Sequence, residues 1–419
     1  MTAAVADFPA PVGALVRIER ESGHFSEGEV VGFRNGAAIV YLYTASTGVR
    51  RGSRARLVRM TRTLRAGEGL LGRVVDAQGH TIDGRPQPML PDRIRPDRQP
   101  PSPLDRPRIR APLATGVHVI DAMLTCGRGQ RLGIFSGSGV GKSTLLGMMA
   151  RHTEADVVVI GLIGERGREV NDFIERDLGP DGLNRSVVVV ATSNEPALTR
   201  VHAAFTATSI AEYFRDQGQH VLLLLDSATR IAMAQREIGL AAGEPPATRG
   251  YPPSMFALLP RLVERAGQDR QGSITAFYSV LVEGDDPSEP VSDTMRGLLD
   301  GHVWLSRKLA SRAHFPAVDV LPSVSRLMND VAGPEHVAAA ATIRRLLAVY
   351  EQHEDLLSLG AYRRGSNLEL DVAADMREAI AALFCQQVAD TRPFASVTGQ
   401  LIRLAAECQA RLAAPAAAA

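Results

Sequence analysis

Lysine is nearly missing from this chain of 419 residues. Of its 47 basic residues only Lys142 and Lys308 are lysine, and all the others are arginine. The two residue types are not interchangeable, because a compact ammonium group can reach between oxygens where a planar guanidinium cannot. A lysine kept at position 142, inside a glycine-rich segment, therefore indicates a specific role there.

Cysteine is also scarce, and long apolar runs are missing. Cys126, Cys385 and Cys408 are odd in number and widely spaced, which argues against a disulfide framework or a metal cluster and favours a reducing compartment. The longest apolar runs, such as VLLLLD and ADVVVIGLIG, are too short to span a bilayer. The first twenty residues do not combine a positively charged start with an apolar core, which argues against a signal peptide. We expect a soluble, cytoplasmic protein.

A strong overall charge is missing as well. The net charge is +1, so the whole chain exerts no attraction on nucleic acid or on an anionic membrane. A local basic patch is compatible with this total, so the balance disfavours a dedicated nucleic-acid binder without excluding one. A hydrophobic content of 45% is typical of a globular protein, and the length predicts two or three domains.

The first 85 residues predict a β domain, and a connector follows it. Short alternating segments (GALVRIER, EGEVVGFR, AAIVYLYT, RARLVRM and GLLGRVVDA) are separated by glycine, asparagine or serine, which indicates a barrel or a sandwich over residues 1–85. Residues 86–112 contain nine prolines. Proline at that density excludes a helix or a sheet interior, so we expect an extended connector there.

Residues 113–334 alternate between apolar strands and helical stretches. RLGIFSG, DVVVIGLIG, SVVVVATS, HVLLLLD and SITAFYSVL are nearly continuous apolar runs, as in a parallel sheet covered by helices on both faces. Residues 335–419 place apolar residues at helical spacing in AAAATIRRLLAVYEQHEDLL and DMREAIAALFCQQVAD, and the last ten residues are expected to fray. The predicted fold class is therefore α/β, with an N-terminal β domain and a C-terminal helical domain.

The segment FSGSGVGKST, from Phe135 to Thr144, is a candidate phosphate-binding loop. It follows an apolar strand and opens into an apolar-periodic helix, as the pattern G-x-x-x-x-G-K-[ST] requires, although Ser136 stands where that pattern has glycine. Its glycines let successive N–H groups point at one phosphate at the positive end of the helix. A glycine-rich turn without a ligand is the less favoured alternative. The candidate nucleotide-binding residues are Ser136, Gly137, Ser138, Gly139, Val140, Gly141, Lys142, Ser143 and Thr144.

Three polar side chains have candidate roles at the phosphates. Lys142 would reach the β- and γ-phosphates, and Ser143 would offer its hydroxyl to Mg²⁺. Asp226 ends the buried strand HVLLLLD, where a carboxylate can hold a water bound to Mg²⁺. The sequence therefore predicts ATP and Mg²⁺ as ligands.

The residues alone do not decide the roles of two further candidates. Glu165 follows the strand VVVIGLIG, where a carboxylate could orient water opposite the leaving phosphate, but a surface ion pair with a neighbouring arginine explains it equally well. Arg326, in PSVSRLM, could be inserted into the site of a neighbouring subunit. With two lysines among 47 basic residues, however, 45 are arginine, and a surface ion pair explains any one of them.

Long motifs in this chain resemble those of the flagellar export ATPases. The segments include GRGQRLGIFSGSGVGKSTLLGMMAR, VVVIGLIGERGREVNDFIERDLGPDG, GQHVLLLLDSATRIAMAQREI, GEPPATRGYPPSMFALLPRLVERAG and GSITAFYSVLVEGDDPSEPVSDTMRGLLDGHVWLSR. That family groups with the virulence-type type III secretion ATPases and is related to the catalytic subunit of F-type ATP synthases. The similarity extends from about Ala14 to about Arg403, which is nearly the whole chain.

The resemblance implies a β-barrel N-domain, a RecA-like P-loop core and a helical C-domain, assembled as a ring of six with ATP between subunits. It implies that Glu165 is the catalytic carboxylate and that Arg166 and Arg230 lie near the γ-phosphate. It also implies that Asp226 is the strand-end aspartate of the magnesium site and that Arg326 reaches into the neighbouring site. A small residue at the position of Ser136 is common in the family.

The resemblance also implies an adenine pocket and a short N-terminus. Phe315 falls where an aromatic side chain packs against adenine, and Tyr362, in GAYRRGSN, falls near the same pocket, although plain core packing explains both. Export ATPases begin with an amphipathic helix that binds a stator-like regulator, followed by the first barrel strand. Here that strand should already have ended near Met1, so we expect either that the true start lies upstream of Met1 or that the chain lacks the regulator site and part of its barrel.

The function that the resemblance implies is ATP hydrolysis at the base of a flagellar export apparatus, peripheral to the inner face of the cytoplasmic membrane. Hydrolysis would release export chaperones and deliver substrates to a membrane gate, without nucleic acid as a partner. An injectisome-type ATPase remains an alternative, as does the catalytic subunit of a proton-driven ATP synthase, although the C-domain is short for the latter. An RNA-translocating ring motor is disfavoured because the first domain does not interleave aromatic and basic residues. A ring member that binds nucleotide only structurally is disfavoured by Glu165.

Overall fold

A computed structural model of the chain describes residues 3–6, 9–44, 46–282 and 288–413. Its N-terminal part is an antiparallel sheet of five strands in the order β1-β4-β3-β2-β5. The strands are β1 (Ala3–Ala6), β2 (Leu15–Glu19), β3 (Phe25–Arg34), β4 (Ala37–Leu42) and β5 (Ala55–Arg59). The alternating segments up to residue 60 are thus strands, as predicted. Strand β1 lies where the resemblance predicted that the first strand had already ended.

The segment that follows connects this sheet to the rest of the chain. It contains β6 (Leu64–Ala66), a 3₁₀ turn (Glu68–Leu70), β7 (Arg73–Val75), β8 (Asp92–Ile94), a second 3₁₀ turn (Pro103–Asp105) and β9 (Pro112–Leu113). β8 pairs with β6 in a sheet of two strands, so the extended proline-rich segment is attached to the chain before it at this point, and its role as a connector remains a prediction. This pairing is possible because β8 contains no proline. A proline within the strand would remove a hydrogen bond between the two strands.

A nine-stranded sheet forms the centre of the molecule. The next strands along the chain are β10 (Cys126–Gly127), β11 (Arg131–Ser136), β12 (Val157–Ile163), β13 (Ser186–Ala191), β14 (His220–Asp226), β15 (Gly267–Gln268), β16 (Ser273–Leu281), β17 (Gly301–Leu305) and β18 (Val318–Ser325). The order is β18-β17-β11-β16-β14-β12-β13-β7, with β15 paired to β16, while β10 pairs with β9 outside this sheet. The five apolar runs predicted as buried strands are neighbours in it and parallel, as expected.

Four strands of this sheet, β7, β15, β17 and β18, were not among the five predicted runs, and β7 falls in a segment that was predicted to belong to the N-terminal domain. Strand β7 pairs in parallel with β13, from Val187 opposite Arg73 to Val189 opposite Val75. The central sheet therefore includes residues that the sequence predicted to lie in the N-terminal domain. The domain boundaries at residues 85 and 112 remain predictions.

Helices cover both faces of the central sheet. They are α1 (His118–Met123), α2 (Lys142–His152), α3 (Gly167–Asp172), a π-helical turn (Phe173–Leu178), α4 (Gly179–Asn184), α5 (Ala197–Asp216), α6 (Ala228–Ala242), a 3₁₀ turn (Thr248–Gly250), α7 (Pro253–Val263), α8 (Pro290–Leu298), α9 (Arg307–Ser311) and α10 (Met328–Val331). Alternate residues of β12 enter opposite cores: Val158 packs with α1 and α2, and Val159 packs with α5 to α8. A strand buried on both faces must be apolar at every position, which explains the continuous runs.

The C-terminal part is helical, as predicted. It consists of α11 (Pro334–Ser358), α12 (Leu368–Phe384) and α13 (Phe394–Ala413), which pack on the core that contains α1 and α2. α12 ends at Phe384, six residues before the predicted helical pattern ends at Asp390. The backbone is extended at Cys385, and Gln386 bonds outside the helix instead. Among the described residues, no helix has the length and apolar character that a membrane crossing needs.

Candidate active site

The candidate phosphate loop joins β11 to α2 at the centre of the sheet. β11 lies between β16 and β17, so the loop emerges from the middle of the carboxyl edge, where parallel sheets bind ligands. Gly139 (φ 78°) and Gly141 (φ 91°) both have left-handed backbone conformations, which glycine adopts without strain. The chain therefore curls at two points before α2 begins at Lys142, and the positive end of that helix faces the loop.

Ser136 does not face this loop. It is the last residue of β11, in register with Leu281 on one side and Leu305 on the other, and it is 1% exposed. Its hydroxyl is buried without a hydrogen-bond partner. The buried side chain of Ser136 agrees with the expectation that this position starts the loop without close contact to phosphate, and its place among the nucleotide-binding residues remains a prediction. Ser138 and Gly139 are the exposed residues of the loop.

Lys142 lies between two carboxylates. Its Nζ is ion-paired with Asp226 Oδ1 and lies 3.6 Å from Glu165 Oε1. Ser279 Oγ donates a hydrogen bond of 2.6 Å to the same oxygen of Asp226. Asp226 ends β14, Glu165 follows β12, and these strands are parallel neighbours, which brings both carboxylates to one edge. The structure thus assembles three of the predicted residues in a single polar site.

The surroundings of Glu165 change its acidity. Burial raises the pKa of Glu165 to about 7, opposed by the charge of Lys142 and reinforced by that of Asp226. Burial alone would lower the pKa of Lys142, but Asp226 and Glu165 outweigh it and raise that pKa. The backbone carbonyl of Glu165 accepts a hydrogen bond of 2.9 Å from Ser193 N, which fixes its position at the strand end. A carboxyl group that titrates near neutrality suits the orientation and deprotonation of water.

The two arginines predicted near the γ-phosphate differ in position. Arg230, in the first turn of α6, packs against Gly164: a Cβ there would lie 2.7 Å from Arg230 Cβ. Its Nε is buried without a hydrogen-bond partner, next to the residue that precedes Glu165. Arg166 is exposed instead, caps α3 and lies 3.3 Å from Glu169. The structure therefore brings Arg230 to the site and leaves Arg166 on its rim.

Arg326 lies at the opposite end of the sheet from the phosphate loop. β18 is an edge strand antiparallel to β17, and Ser325 pairs with Gly301, whereas Leu305, beside the loop, pairs with Val318. At about 3.3 Å per residue, Arg326 is roughly 17 Å from the carboxyl edge. The side chain is exposed. Within one chain Arg326 is therefore distant from the phosphate loop, and its role in the site of a neighbouring copy remains a prediction.

A cavity of about 880 Å³ adjoins the phosphate loop. One wall is formed by the loop and α2, including Val140 and Met148, a second by Phe315, and a third by residues 385–388. Phe315 is 45% exposed, and its ring lies 3.7 Å from the position of a Cβ on Gly141. An exposed aromatic face beside a phosphate loop is suited to stacking on a purine base. The structure brings Phe315 to the site, as predicted.

Tyr362 does not reach this cavity. Its hydroxyl bonds to Asn367 O at 2.9 Å and to Asp371 Oδ1 at 3.0 Å, at the start of α12. The cavity wall begins after the end of that 17-residue helix, which spans about 25 Å. Within one chain, Tyr362 therefore stabilises the start of α12 and does not contact a base.

Two oxygen groups in the site fit a magnesium ion. Asp226 receives its bonds from Lys142 and Ser279 on Oδ1, and Ser143 is exposed at the start of α2. Mg²⁺ prefers oxygen ligands and usually keeps several waters, binding through one or two side chains plus phosphates. Ser143 and Asp226 suit that mode.

Sequence reasoning missed several residues of the site. Ser279 was visible as a polar residue in the apolar strand SITAFYSVL, but nothing local pairs it with Asp226. Glu169 hydrogen-bonds to Glu165, a contact that the spacing i, i+4 suggests. Arg307 covers Gly137, where a Cβ would lie 2.6 Å from Nη2. Cys385 and Gln386 line the cavity, and only tertiary packing of the C-terminal helices reveals that.

Two family models match the chain. Residues 116–325 match the ATP synthase alpha/beta family, nucleotide-binding domain, and residues 332–403 match the T3SS EscN ATPase C-terminal domain. The first match contains the phosphate loop, Glu165 and Asp226, and it ends one residue before Arg326. The second covers most of the helical part.

Individual relatives agree with these matches. The chain is 53% identical over 359 residues to the flagellum-specific ATP synthase of Bacillus subtilis, covering 86% of this chain and 82% of that protein. It is 48% identical to the type 3 secretion system ATPase of Xanthomonas euvesicatoria, over 90% and 85% of the two chains. The assembled ATPase EscN of enteropathogenic E. coli superposes with a TM-score of 0.90 at 42% identity, over 96% and 98% of the chains. The chain therefore belongs to the family of flagellum-specific ATP synthases and type 3 secretion system ATPases, and it is a P-loop ATPase.

Proposed function

We propose that this chain hydrolyses ATP to energise protein export through a flagellar type III secretion apparatus. The observation that carries the proposal is the buried group of Lys142, Asp226 and Glu165 at the carboxyl edge of the sheet, with Lys142 Nζ 3.6 Å from Glu165 Oε1. A subunit that only bound nucleotide would not need a carboxyl group that titrates near pH 7 beside the phosphate loop.

Each side chain has a distinct part in the proposed reaction. Lys142 and the N–H groups at the start of α2 bind the β- and γ-phosphates and neutralise charge as the γ-phosphoryl leaves. Glu165, ionised above its pKa, orients the attacking water and accepts hydrogen bonds from it. Arg230 would stabilise the negative charge that develops on the γ-phosphate in the transition state. Ser143 and, through a water, Asp226 would hold Mg²⁺, which would supply further positive charge at the phosphates.

The proposed active form is a ring, expected to contain six copies. The position of Arg326, at the other end of the sheet, supports this, since only a neighbouring copy can receive it. EscN, which resembles this chain over nearly its full length, has been described in an assembled form and in complex with its central stalk EscO. We propose a comparable assembly here, with a stalk and a stator-like regulator as partners.

The C-terminal helices support export over ATP synthesis. Residues 332–403 match a domain of type 3 secretion ATPases and follow directly on the nucleotide-binding domain. Identities of 50% to 55% to four flagellum-specific relatives, against 43% to 50% to four type 3 secretion system relatives, favour a flagellar client. We propose that chaperones and a membrane gate are the further partners and that the chain works at the cytoplasmic face of the membrane.

Export in a living cell tests the proposal. In a flagellated bacterium that lacks its own export ATPase, this chain is expected to restore secreted flagellar subunits and swimming. The Glu165→Gln variant should not restore them, because its kcat should fall by about 10² to 10⁴. Glu21→Gln, which alters only an exposed ion pair with Arg50, is the matched control. Rescue of an injectisome mutant alone would reassign the client, and ATPase activity that requires RNA would contradict export.

A further inference from the structure

The wall of the base cavity that comes from the C-terminal part is irregular chain. Residues 385–393 connect α12 to α13, and Gln387, Val388 and Ala389 are exposed. Neither a helix nor a strand fixes the position of this segment. A wall of this kind keeps its shape only if particular side-chain bonds hold it.

Gln386 makes those bonds. It is 7% exposed, and its carboxamide uses both donors and its acceptor. Oε1 accepts a hydrogen bond from His118 N at 2.9 Å, while Nε2 donates to Gly116 O at 2.9 Å and to Asp390 O at 2.7 Å. One side chain thus connects the start of α1 to both ends of the wall.

The backbone of Gln386 adds a link to the aromatic wall. Its N–H donates a hydrogen bond of 2.9 Å to Phe315 O. The residue before it, Cys385, lies 3.5 Å from His314 Nδ1 through its sulfur. The aromatic wall and the C-terminal wall are therefore joined directly, and the carboxamide joins both to α1.

Other contacts to this segment are more exposed. Val388 O accepts from Arg151 Nη2 at 3.3 Å and lies 3.1 Å from His152 Nε2. Both contacts are at the surface and end on one carbonyl oxygen. They limit the outward movement of the wall but do not set its distance from Phe315.

We propose that Gln386 is a positioning residue for the base of the nucleotide: its buried carboxamide holds the wall at residues 385–390 in place against Phe315 and α1, so that the cavity is formed before ATP binds. The inference rests on the proposed ATPase function of the same site. Gln386 does not act on the phosphates, which bind at the other end of the nucleotide.

The bonding pattern explains why this position requires an amide. A glutamate would place carboxylate oxygens against the carbonyls of Gly116 and Asp390, where two donors are needed. A leucine of similar volume would leave the N–H of His118 and two carbonyl oxygens buried without partners. An asparagine keeps the amide but is shorter by one methylene group, so it cannot reach all three partners.

Steady-state kinetics of the full-length chain test the proposal. Gln386→Leu is expected to raise the KM for ATP about tenfold, which corresponds to the free energy of about one buried hydrogen bond. Its kcat should stay within about twofold of that of the native chain. Inhibition by inorganic tripolyphosphate, which has phosphates but no base, should be unchanged. The matched control is Gln409→Leu, which removes an exposed amide that bonds to Thr342 in the same helical part.

The outcomes separate this inference from a purely structural role. An unchanged KM for ATP, or an equal loss of affinity for ATP and tripolyphosphate, overturns it. If Gln386→Leu does not fold, Gln386→Asn decides: a folded variant must show a rise in KM for ATP of about threefold without a change for tripolyphosphate. A native chain without any ATPase activity would instead refute the proposed function.

Discussion

The two edges of the central sheet carry the same kinds of charged side chain in opposite arrangements. At the carboxyl edge, Lys142 is enclosed with Asp226 and Glu165, and few of their atoms meet water. At the amino edge, Arg131 is paired with Asp300 at 3.1 Å, and Arg326 extends from the end of β18 into solvent. The carboxyl edge thus gathers most of the predicted catalytic residues, whereas Arg326 at the amino edge is too far from them to act within one chain. In the proposed ring of identical chains, the amino edge of one copy would meet the carboxyl edge of the next.

The largest expected effect is at Lys142. Lys142→Arg keeps the charge but not the compact ammonium group, so kcat/KM for ATP should fall by more than about 10⁴-fold. Phosphate release under steady-state conditions measures it. Lys308→Arg is the control, since Lys308 bonds to Glu354 on the surface and the change should leave activity within about twofold. Equal losses of activity in both variants would show that the effect does not depend on the position of Lys142 in the phosphate loop.

Arg326 should have the next largest effect. Arg326→Ala is expected to lower kcat by about 10³-fold without loss of ATP binding, because the missing charge acts on the transition state. Mixing this variant with Glu165→Gln chains is the decisive measurement. Mixed rings contain some interfaces with an intact Glu165 from one chain and an intact Arg326 from the next, so activity should exceed that of either variant alone. No gain on mixing would contradict the shared site.

The acidity of Glu165 predicts a pH dependence. With a pKa of about 7, Glu165 is ionised above neutrality and protonated below it. Since only the carboxylate can accept a hydrogen bond from water and draw its proton, kcat should decline by about tenfold per pH unit below that pKa. Single-turnover rates between pH 5.5 and 8.5 measure this. In Glu165→Gln the decline should vanish, and a decline that persists would assign the pKa to another group.

The smallest effect on catalysis is expected at Asp300. Asp300→Asn removes the ion pair with Arg131, which should lower the free energy of unfolding by about 1 to 3 kcal/mol. Urea denaturation and thermal melting measure that loss. Because the pair lies about 17 Å from the phosphate loop, kcat should stay within about twofold. A large fall in kcat would contradict this and would mean that Asp300, whose carbonyl accepts a hydrogen bond of 3.0 Å from Arg326 N, helps to position Arg326.

Much of the fold could be predicted from the sequence, because strands buried on both faces are apolar at every position. The same reasoning located Asp226 and Glu165, since parallel strands end at one edge and both residues follow such strands. It did not show that the Ser136 side chain is buried, because a sequence pattern does not show which side of a strand end faces the core. It failed for Tyr362 because the family motif says nothing of the length of α12 within one chain.

The parts that remained unseen depend on contacts between distant segments. Gln386 bonds to Gly116 and His118, about 270 positions away along the chain, and no local pattern marks it. Strand β7 has only three residues and alternates like the barrel strands before it, so nothing nearby indicates that it pairs with β13.

That short strand bears on how the molecule can be divided. A fragment that starts at residue 113 would contain the whole nucleotide-binding domain by motif, yet it would leave the outer side of β13 without its neighbour. The backbone groups of Val187 to Val189 would then be open to pairing with another molecule, at the end of a very apolar sheet. Such a fragment should aggregate, whereas one that begins before Arg73 keeps the edge covered. During synthesis, β7 leaves the ribosome more than a hundred residues before its partner strand, so the early part of the chain must wait for the later part before the sheet can close.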